Sequence, residues 1–288
     1  MFGHAFRELR KDKGFSIKEL TVAGPSESSI RRFETEQQDM GVENLSAILR
    51  VMNVSMGEWL LTLNEEKGLL DTEQSKLMQF YFGNDAENIA KEYNSLAQRF
   101  KLDANFELLK QIAGAASLYT DLTNKVIISK SLLSKVVDVL FNTSYWGIAE
   151  IEFFGDSVAL LTAPQLLLIL KDIISQIHLI EKRDSRTYMD CWNAILNGYL
   201  IVIQKNLDFA QELQPLIMRL ETPVQVTSIQ IRRYFINEVL NYQLATTDLE
   251  KMKFSSNIIR VISLLDDVGN KQMANQYMVL FTQIKGDK

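Results

Sequence analysis

Apolar residues recur at helical spacing through almost all of this 288-residue chain, and this constrains its fold more than any other feature. From Val42 to Met52 they fall at intervals of three and four, which puts one set on a single side of a helix: Leu45, Ile48, Leu49 and Met52. Only four prolines occur in the chain. Hydrophobic residues make up 47% and charged residues 23%, a balance typical of a globular protein with a sizeable core. The sequence therefore predicts an all-α fold.

Two short helices, each opening with a serine, are predicted near the amino terminus. Ser16 and Ser26 stand directly before helical segments, where a serine side chain accepts a hydrogen bond from a backbone N–H of the first turn. Ala23-Gly24-Pro25 can turn the chain between them, because glycine permits unusual φ and proline blocks continuation of a helix. Helices joined by so short a turn form a helix-turn-helix unit, whose second helix can enter the DNA major groove. We therefore expect sequence-specific binding of double-stranded DNA.

The second of these helices has an apolar side and a polar side. Ile30 and Phe33 lie three positions apart and are expected to pack on Leu20 and Leu9. The polar side can reach base edges or phosphates, since arginine and serine hydrogen-bond both. The residues predicted to contact DNA are Lys11, Lys13, Ser16, Lys18, Ser26, Ser28, Ser29, Arg31 and Arg32.

Arg31 and Arg32 differ in direction by about 100° around the helix axis, so at most one points squarely into a groove. The alternative for either arginine is simple exposure, or an ion pair with Glu34. Net charge of the whole chain is −5, whereas residues 1–34 carry seven basic and five acidic side chains, a net of +2. So small a positive region predicts weak binding by a single copy and a need for dimerisation.

The remaining pattern predicts two domains. Helices over 42–52 and 56–63, the second capped by Ser55, complete a five-helix helix-turn-helix domain at 1–66, called the head below. Glu65-Glu66-Lys67-Gly68 is the predicted linker. Residues 67–288, called the body, read as longer helices joined as hairpins by short connections.

A spacing of 44 residues recurs within the body. Asn193 and Asn197 return as Asn237 and Asn241. Apolar residues follow the same shift: Ile195, Leu196 and Leu200 match Val239, Leu240 and Leu244, and Ile217 and Leu220 match Val261 and Leu264. A period of this size suits a helix–turn–helix repeat in a TPR-like α-solenoid, whose concave side is a binding surface. Chance matching among leucine-rich helices is the alternative.

The repeated asparagines suggest recognition of an extended peptide. A side-chain amide carries a donor and an acceptor, so a ladder of them can pair with a peptide main chain. Arg233 extends the second pair by a turn and could meet a carboxylate, while Arg232 points in another direction. Satisfying buried backbone, or facing solvent, is the alternative role for these residues. The predicted peptide-binding residues are Trp146, Asn193, Asn197, Arg233, Asn237 and Asn241.

Nothing in the sequence points to catalysis. His4 and His178 are the only histidines, and no spacing typical of a metal site, phosphate loop or serine nucleophile occurs. Asp266-Asp267 are adjacent on a helix and therefore point apart. Cys191 lies in an apolar helical pattern and is expected to be a small buried hydrophobe. We predict no enzyme activity, no metal and no cofactor.

The sequence favours a cytoplasmic protein that does not enter a membrane. Its first residues run directly into the charged segment Arg7-Glu8-Leu9-Arg10-Lys11, unlike a secretory leader. The apolar run from Leu166 to Leu170 is far too short to span a bilayer and is followed by Lys171 and Asp172.

These motifs resemble known regulators. The head resembles the Cro/C1-type (XRE) helix-turn-helix, and the whole chain resembles the Rgg/GadR/MutR regulators of Gram-positive bacteria. The head motifs are Leu9-Arg10-Lys11, Lys13-Gly14, Ser16, Ser26, Ser28, Arg32-Phe33-Glu34 and Asn53-Val54-Ser55 with Glu58. The body motifs are Tyr145-Trp146-Gly147 through Glu150 to Phe153-Phe154-Gly155, and Asn193-Ala194 through Gly198-Tyr199 to Ala210.

The resemblance implies a dimeric transcription regulator whose helical repeats sense a short peptide pheromone. It also implies an ion pair between Glu34 and Arg10 inside the head, expected to be partly exposed and worth about 0–1 kcal/mol. Trp146 would be a core aromatic or a groove wall. Ile17 and Thr35 depart from the glutamine and glycine usual in such heads, so the operator sequence does not carry over.

Two points stay open at this level. A different class of function is a protein-interaction module in which the solenoid binds a protein partner and the head no longer binds DNA. Ile258, Ile259, Ile262 and Leu265 form an apolar stripe that suits either a dimer contact or burial within the monomer.

Overall fold

The computed structural model describes residues 2–66, 73–183, 185–222 and 226–286, and the regular structure of these residues is entirely helical. The predicted all-α class is confirmed. The chain forms two compact units that divide between Gln79 and Phe80. Of the predicted linker, Glu65 and Glu66 end a helix, while Lys67 and Gly68 lie outside the described residues. The division at 66/67 therefore stays a prediction.

Serine caps and a glycine corner shape the head as its sequence predicts. Its elements are α1 (Phe2–Asp12), α2 (Ile17–Leu20), a 3₁₀ turn (Thr21–Ala23), α3 (Glu27–Glu34), α4 (Val42–Val51) and α5 (Met56–Glu66). The Ser16 hydroxyl accepts from the Glu19 N–H at 3.3 Å, and the Glu19 carboxylate accepts from the Ser16 N–H at 2.7 Å. The Ser26 hydroxyl accepts from the Ser29 N–H at 3.2 Å. Gly24 closes the corner with φ +111°, a backbone conformation that favours glycine.

The head has its own hydrophobic core, to which every one of its helices contributes. Ile30 and Phe33 on α3 are buried in it together with Leu20 and Leu9, which confirms their predicted packing. Phe6 on α1 adds a ring contact with Phe33, with centroids 5.4 Å apart. The apolar side of α3 is thus fully used, so its polar side is the one left outward.

Gly3 brings α1 unusually close to the end of α3. A β-carbon added at Gly3 would lie 1.8 Å from the Phe33 carbonyl oxygen, so the two backbones must separate to admit it. We expect Gly3→Ala to destabilise the head by about 1–3 kcal/mol, as overpacking does in other cores. Faster amide hydrogen exchange in α1 and α3 of the full chain would reveal the loss.

Gly57→Ala is the matched control, because a β-carbon at Gly57 meets only the Ser55 hydroxyl oxygen at 3.9 Å. That change should be neutral or slightly stabilising, since alanine favours a helix over glycine. Equal exchange rates in the two variants would contradict the close contact.

The body contains longer helices. They are α6 (Glu73–Phe82), which spans the division between the two units, α7 (Ala86–Leu102), α8 (Phe106–Thr123), α9 (Lys130–Phe141), α10 (Ile148–Ser157), α11 (Ala163–Arg183), α12 (Ser185–Lys205), α13 (Leu207–Arg219), α14 (Thr227–Leu244), α15 (Asp248–Asp267) and α16 (Lys271–Gly286). A 3₁₀ turn, Val158–Leu160, follows α10. The chain connects these helices as successive hairpins.

Helices α7 to α16 form two layers. Helices α8, α10, α12, α14 and α16, the even layer, lie side by side: α8 packs on α10, α10 on α12 and α12 on α14. Stacked rings of Phe235 and Tyr277, with centroids 3.7 Å apart, join α14 to α16. Helices α7, α9, α11, α13 and α15, the odd layer, pack behind them, with hairpin contacts such as α7 on α8 and α11 on α12.

Small residues permit close packing within the even layer. Gly198 on α12 has Leu170 of α11 and Phe154 of α10 as near neighbours, and a β-carbon there would lie 3.1 Å and 3.2 Å from their side chains. Gly155 on α10 faces Ala194 on α12 in the same way, at 3.8 Å. The largest aromatic residues of the body, Trp146 and Trp192 among them, are fully buried around these crossings.

The 44-residue shift relates helix pairs. It carries α12 onto α14 and α13 onto α15, and buried Ile195 and Leu196 correspond to buried Val239 and Leu240. The sequence repeat thus reflects two hairpins of similar length.

The apolar stripe of α15 is mostly internal. Ile258, Ile262 and Leu265 are buried within the monomer, whereas Ile259 is 44% exposed. Burial within the monomer is therefore the correct alternative for three of the four residues.

Helix α11 is apolar enough over Ala163–Lys182 to cross a membrane by length and composition alone. Half of that segment is buried inside the body, where α11 packs on α12 and α13. This is the environment of a core helix in a globular protein.

Candidate functional site

The outward side of α3 carries the predicted DNA-contacting residues. Ser26, Ser28, Arg31 and Arg32 are exposed, and Ser29 is half-buried. The Ser26 hydroxyl caps the helix, so it contributes to α3 itself as well as to the surface. The structure brings these side chains together at the start and outer side of one short helix.

A buried ion pair holds α3 against α1. Arg10 Nε donates to Glu34 Oε1 at 2.6 Å, and Arg10 Nη2 donates to Glu34 Oε2 at 3.1 Å. Arg10 Nη1 also donates to the Phe15 carbonyl oxygen at 2.7 Å. The pair itself is confirmed, but its expected partial exposure is wrong, because the two side chains are only 11% and 6% exposed. Glu34 therefore does not pair with Arg31 or Arg32.

The five predicted DNA-binding cations differ in availability. Lys11 pairs with Glu8 at 2.9 Å, Lys13 with Glu58 at 3.0 Å, and Arg31 approaches Glu27 at 3.8 Å. All three pairs are exposed, and such pairs are weak enough for a phosphate to replace.

Lys18 and Arg32 are the cations most ready for an external anion. Both are exposed, and neither side chain has an ionic or hydrogen-bonding partner among the described residues. Arg32 therefore becomes the stronger candidate of the two adjacent arginines.

The first asparagine pair, Asn193 and Asn197, contacts Arg232, which was not among the predicted peptide-binding residues. Arg232 on α14 donates from Nη1 to Asn193 Oδ1 at 3.5 Å and from Nη2 to Asn197 Oδ1. Both asparagines lie on α12, so the contact crosses between neighbouring helices of the even layer. Asn193 is exposed, and the cluster is therefore open to solvent.

The second asparagine pair points elsewhere. Gln214 on α13 donates from Nε2 to Asn237 Oδ1 at 2.8 Å and to Asn241 Oδ1 at 3.3 Å. Arg232 and Asn237 are five positions apart, or about 140° around α14. Asn237 and Asn241 thus face the odd layer while Arg232 faces α12, so the four asparagines do not form one row.

Arg233 has an internal role in this structure. It donates from Nη1 to the Leu220 carbonyl oxygen at 2.8 Å, just beyond α13, and its guanidinium carbon lies 5.7 Å from the Trp192 ring centroid. Its charge is thus directed at a helix end and an aromatic ring.

Trp146 is 1% exposed and donates from Nε1 to Asp172 Oδ2 at 2.6 Å. It is a core aromatic, out of a ligand's reach in this conformation. Contact between a ligand and the other predicted peptide-binding residues stays a prediction.

Arg232 and Tyr277 were not among the candidate residues predicted from the sequence. Arg232 is half-buried, and burial lowers the pKa of its guanidinium. Tyr277 on α16 stacks on Phe235, which lies three positions after Arg232 on α14, and its hydroxyl has no hydrogen-bond partner in the described part of the chain. One signal was available: Arg232 lies three and four positions from Ile229, Phe235 and Ile236, which places an arginine within an apolar pattern.

A second polar cluster lies where α8 meets α10. Lys110 Nζ contacts Glu152 Oε2 at 2.5 Å, and Asp156 follows Glu152 one turn later on α10. Asp156 lies against Gly114, where a β-carbon would be 3.7 Å from its carboxyl carbon. Burial raises the pKa of Asp156 to about 7; Lys110 opposes this shift, and Glu152 and Glu107 add to it.

No group of three histidine, cysteine, aspartate or glutamate side chains is placed to hold a metal within the described ranges. Cys191 is fully buried as predicted, and burial raises the pKa of its thiol to about 12.

A family model decides the affiliation. The model for the C-terminal domain of the HTH-type transcriptional regulator Rgg matches residues 91–279. This chain belongs to the Rgg family. The resemblance noted in the sequence motifs is thereby confirmed, and so is the expectation of a transcription regulator rather than an enzyme.

Solved structures share the fold of this Rgg-family protein. The SHP pheromone receptor Rgg2 from Streptococcus dysgalactiae matches with a TM-score of 0.71 and 17% identity over 100% of both chains. PrgX in its complex with cCF10 matches with a TM-score of 0.67 and 14% identity, over 98% of this chain and 99% of that one. A bacterial peptide pheromone–receptor complex matches with a TM-score of 0.70 and 13% identity, over 99% and 98%. At these identities the likeness shows the fold.

Removing one partner of the buried ion pair should destabilise the head of this Rgg-family protein. Glu34→Gln leaves Arg10 buried and uncompensated, which costs about 3–5 kcal/mol for such pairs. Urea unfolding and amide exchange of head segments would measure the loss. Glu58→Gln, which breaks the exposed pair with Lys13, should cost about 1 kcal/mol or less. Similar losses in the two variants would contradict the structural role given to Arg10 and Glu34.

Asp156 should make stability depend on pH. Its pKa is about 7 in the folded chain against an ordinary value of 3.8, so between these pH values the folded state retains a proton that the unfolded chain releases. Stability from this group therefore falls as pH rises from about 4 to about 7. We expect Asp156→Asn to be more stable than the parent at pH 8, with an advantage that shrinks toward pH 4, measured by thermal unfolding. Asp138→Asn, at an exposed carboxylate, is the control; the same pH trend in both would contradict the assignment.

Proposed function

We propose that this Rgg-family regulator binds promoter DNA as a homodimer through its head and is controlled by a short peptide bound to its body. The observation that carries the DNA part is the outward polar side of α3, on which Arg32 is exposed without a partner in the described residues. A guanidinium in that position can bind guanine or phosphate.

The head is built to hold that surface rigidly. The Arg10–Glu34 pair and the packing of Phe33 fix α3 against α1, so its polar side chains start from one defined orientation. Lys18, on α2, adds a second unpaired cation for the phosphate backbone. Serines at the start of α3 supply short donors where base contacts of helix-turn-helix proteins lie.

Peptide control is supported by the proteins that share this fold. Rgg2 is described as an SHP pheromone receptor, and PrgX has been solved as a complex with cCF10. The body of this chain carries open polar clusters on successive helices of its even layer, at Glu152, Asn193 and Arg232. Such an array suits an extended chain better than a compact small molecule.

The charge of the head and the exposed apolar residues of the body support the proposed dimer. The head is only slightly basic, so two heads together would give DNA affinity that one lacks. Exposed apolar side chains occur on the last two helices and the turn between them: Leu249, Met252, Ile259, Leu264, Val268, Met278 and Val279. A cytoplasmic location is part of this proposal, since promoter DNA is found there. Sedimentation velocity should therefore show a dimer, and a monomer at micromolar concentration would contradict this part.

Loss of the unpaired cations should weaken DNA binding. The parent protein would first select duplexes from a random pool at low salt, with and without a mixed peptide library. We expect Arg32→Ala and Lys18→Ala each to weaken binding to the selected duplex and to lower the salt slope by about one unit if the lost contact is to phosphate. Arg32→Ala should also relax base preference at one position if it contacts guanine.

Arg50→Ala is the charge-matched control, because Arg50 is exposed on α4 and bonds to Ser46 within its own helix. It should bind DNA almost as well as the parent. Failure of the parent to select any duplex under either condition would overturn the DNA-binding role.

A further inference from the structure

Arg232 presents a positive charge on the side of the even layer turned away from the odd layer, called the free face. Asn193 and Asn197 on α12 and Arg232 on α14 mark the free face, where Asn193 is exposed. Glu152 and Asp156 lie on α10, the next helix of the even layer, and we assign them to the same face. The partners of Arg232 are neutral amide oxygens, and no carboxylate in the described residues pairs with it. A half-buried guanidinium without a counter-charge is costly, and an incoming anion would relieve that cost.

Tyr277 supplies an independent sign of a missing ligand. The residue is 8% exposed, and its hydroxyl makes no hydrogen bond within the described part of the chain. Its ring is stacked on Phe235 at an interplanar angle of 10°, which holds the hydroxyl in place. Buried hydroxyls normally have partners. Phe235 lies three positions after Arg232, so the stacked Tyr277 and its unpartnered O–H lie on the side of α14 that carries the guanidinium.

We infer that Arg232 and Tyr277 form a carboxylate-binding site, and that it receives the free C-terminal carboxylate of the peptide ligand. This inference rests on the proposed function and deepens it by naming the end of the peptide that is recognised. A guanidinium and a hydroxyl together offer charge-assisted donors to both carboxylate oxygens. Asn193 and Asn197 orient the guanidinium, and their amide N–H groups remain for main-chain carbonyl groups of the peptide.

The opposite end of the free face, at α10, is expected to bind a positively charged group of the peptide. Glu152 pairs with Lys110 there, and the further negative charge comes from Asp156 on α10, which is only partly ionised near pH 7. From α10 to α14 is two helix-to-helix steps, or about 16–20 Å at the usual 8–10 Å spacing. An extended chain rises about 3.3 Å per residue, so about five or six residues cover that distance. A peptide of this size would lie with its amino end at α10 and its carboxyl end at α14.

Capture from synthetic peptide libraries tests the site. Immobilised full-length protein would be exposed to random hexapeptides with a free C-terminal carboxylate, to the same library with an amidated C-terminus, and to an N-acetylated library. Mass spectrometry of the retained peptides gives the readout. We expect retention of the free-carboxylate library to exceed that of the amidated library at least tenfold, and the N-acetylated library to be retained more weakly than the first.

Three variants separate recognition from folding. Arg232→Gln should lose the preference for the free carboxylate. Tyr277→Phe removes only the hydroxyl and keeps the ring stack with Phe235, so it should reduce that preference in a protein that folds as the parent does. Arg219→Gln, at an exposed arginine on α13, should behave as the parent.

Equal retention of free and amidated peptides by the parent would overturn the carboxylate site, and so would retention of no peptide at all. An unchanged preference in both Arg232→Gln and Tyr277→Phe would overturn the residue assignment. Equal retention of the N-acetylated library would overturn the direction of the peptide. Duplex selection by the same preparations is scored separately, so success there combined with failure here leaves DNA binding intact and removes only this inference.

Discussion

Successive hairpins of the body can bury their apolar sides only against each other, and the rest of the body depends on that stacking. Gly198 and Gly155 make the crossings of α10, α11 and α12 close enough for Phe154 to be fully buried. Once the apolar sides are used in this way, polar residues are confined to the outer surfaces of the layers. Asn193 and Arg232 meet on such a surface because α12 and α14 are direct neighbours.

In the head, the short helix α3 depends on contacts with other elements, since a helix of eight residues has little stability of its own. Helix α3 is capped by Ser26, packed through Ile30 and Phe33, and fixed at its end by Glu34. With its apolar side and last acidic residue directed inward, the serines, the arginines and Glu27 remain on the outer side. The same contacts that stabilise α3 thereby decide which of its side chains form the proposed DNA-binding surface.

Local features were predictable from the sequence, and those that depend on helix rotation were not. The caps at Ser16 and Ser26 need only neighbouring backbone, so residue type and spacing are sufficient. The packing of Ile30 and Phe33 follows from a periodicity of three and four. The 44-residue repeat likewise predicted matching hairpins.

Side-chain pairings between different helices could not be predicted from the sequence. Asn237 and Asn241 lie at the same sequence shift as the first pair, yet α14 is turned so that they meet Gln214 while Arg232 meets Asn193. The spacing of apolar residues in the sequence does not show how far a helix is rotated about its own axis relative to its neighbours. The burial of Glu34 was underestimated for a similar reason, because α1 covers it from outside its own helix.

The stack of Phe235 on Tyr277 joins the last helix to the proposed carboxylate site. A stop codon that removed α16 would delete the tyrosine and expose the ring beneath it, while the amino-terminal unit would retain its separate core. Under the proposed function, natural alleles truncated in this way would encode regulators that still bind promoters but no longer respond to the peptide. The phenotype would then depend on where translation ends rather than on whether the protein is made.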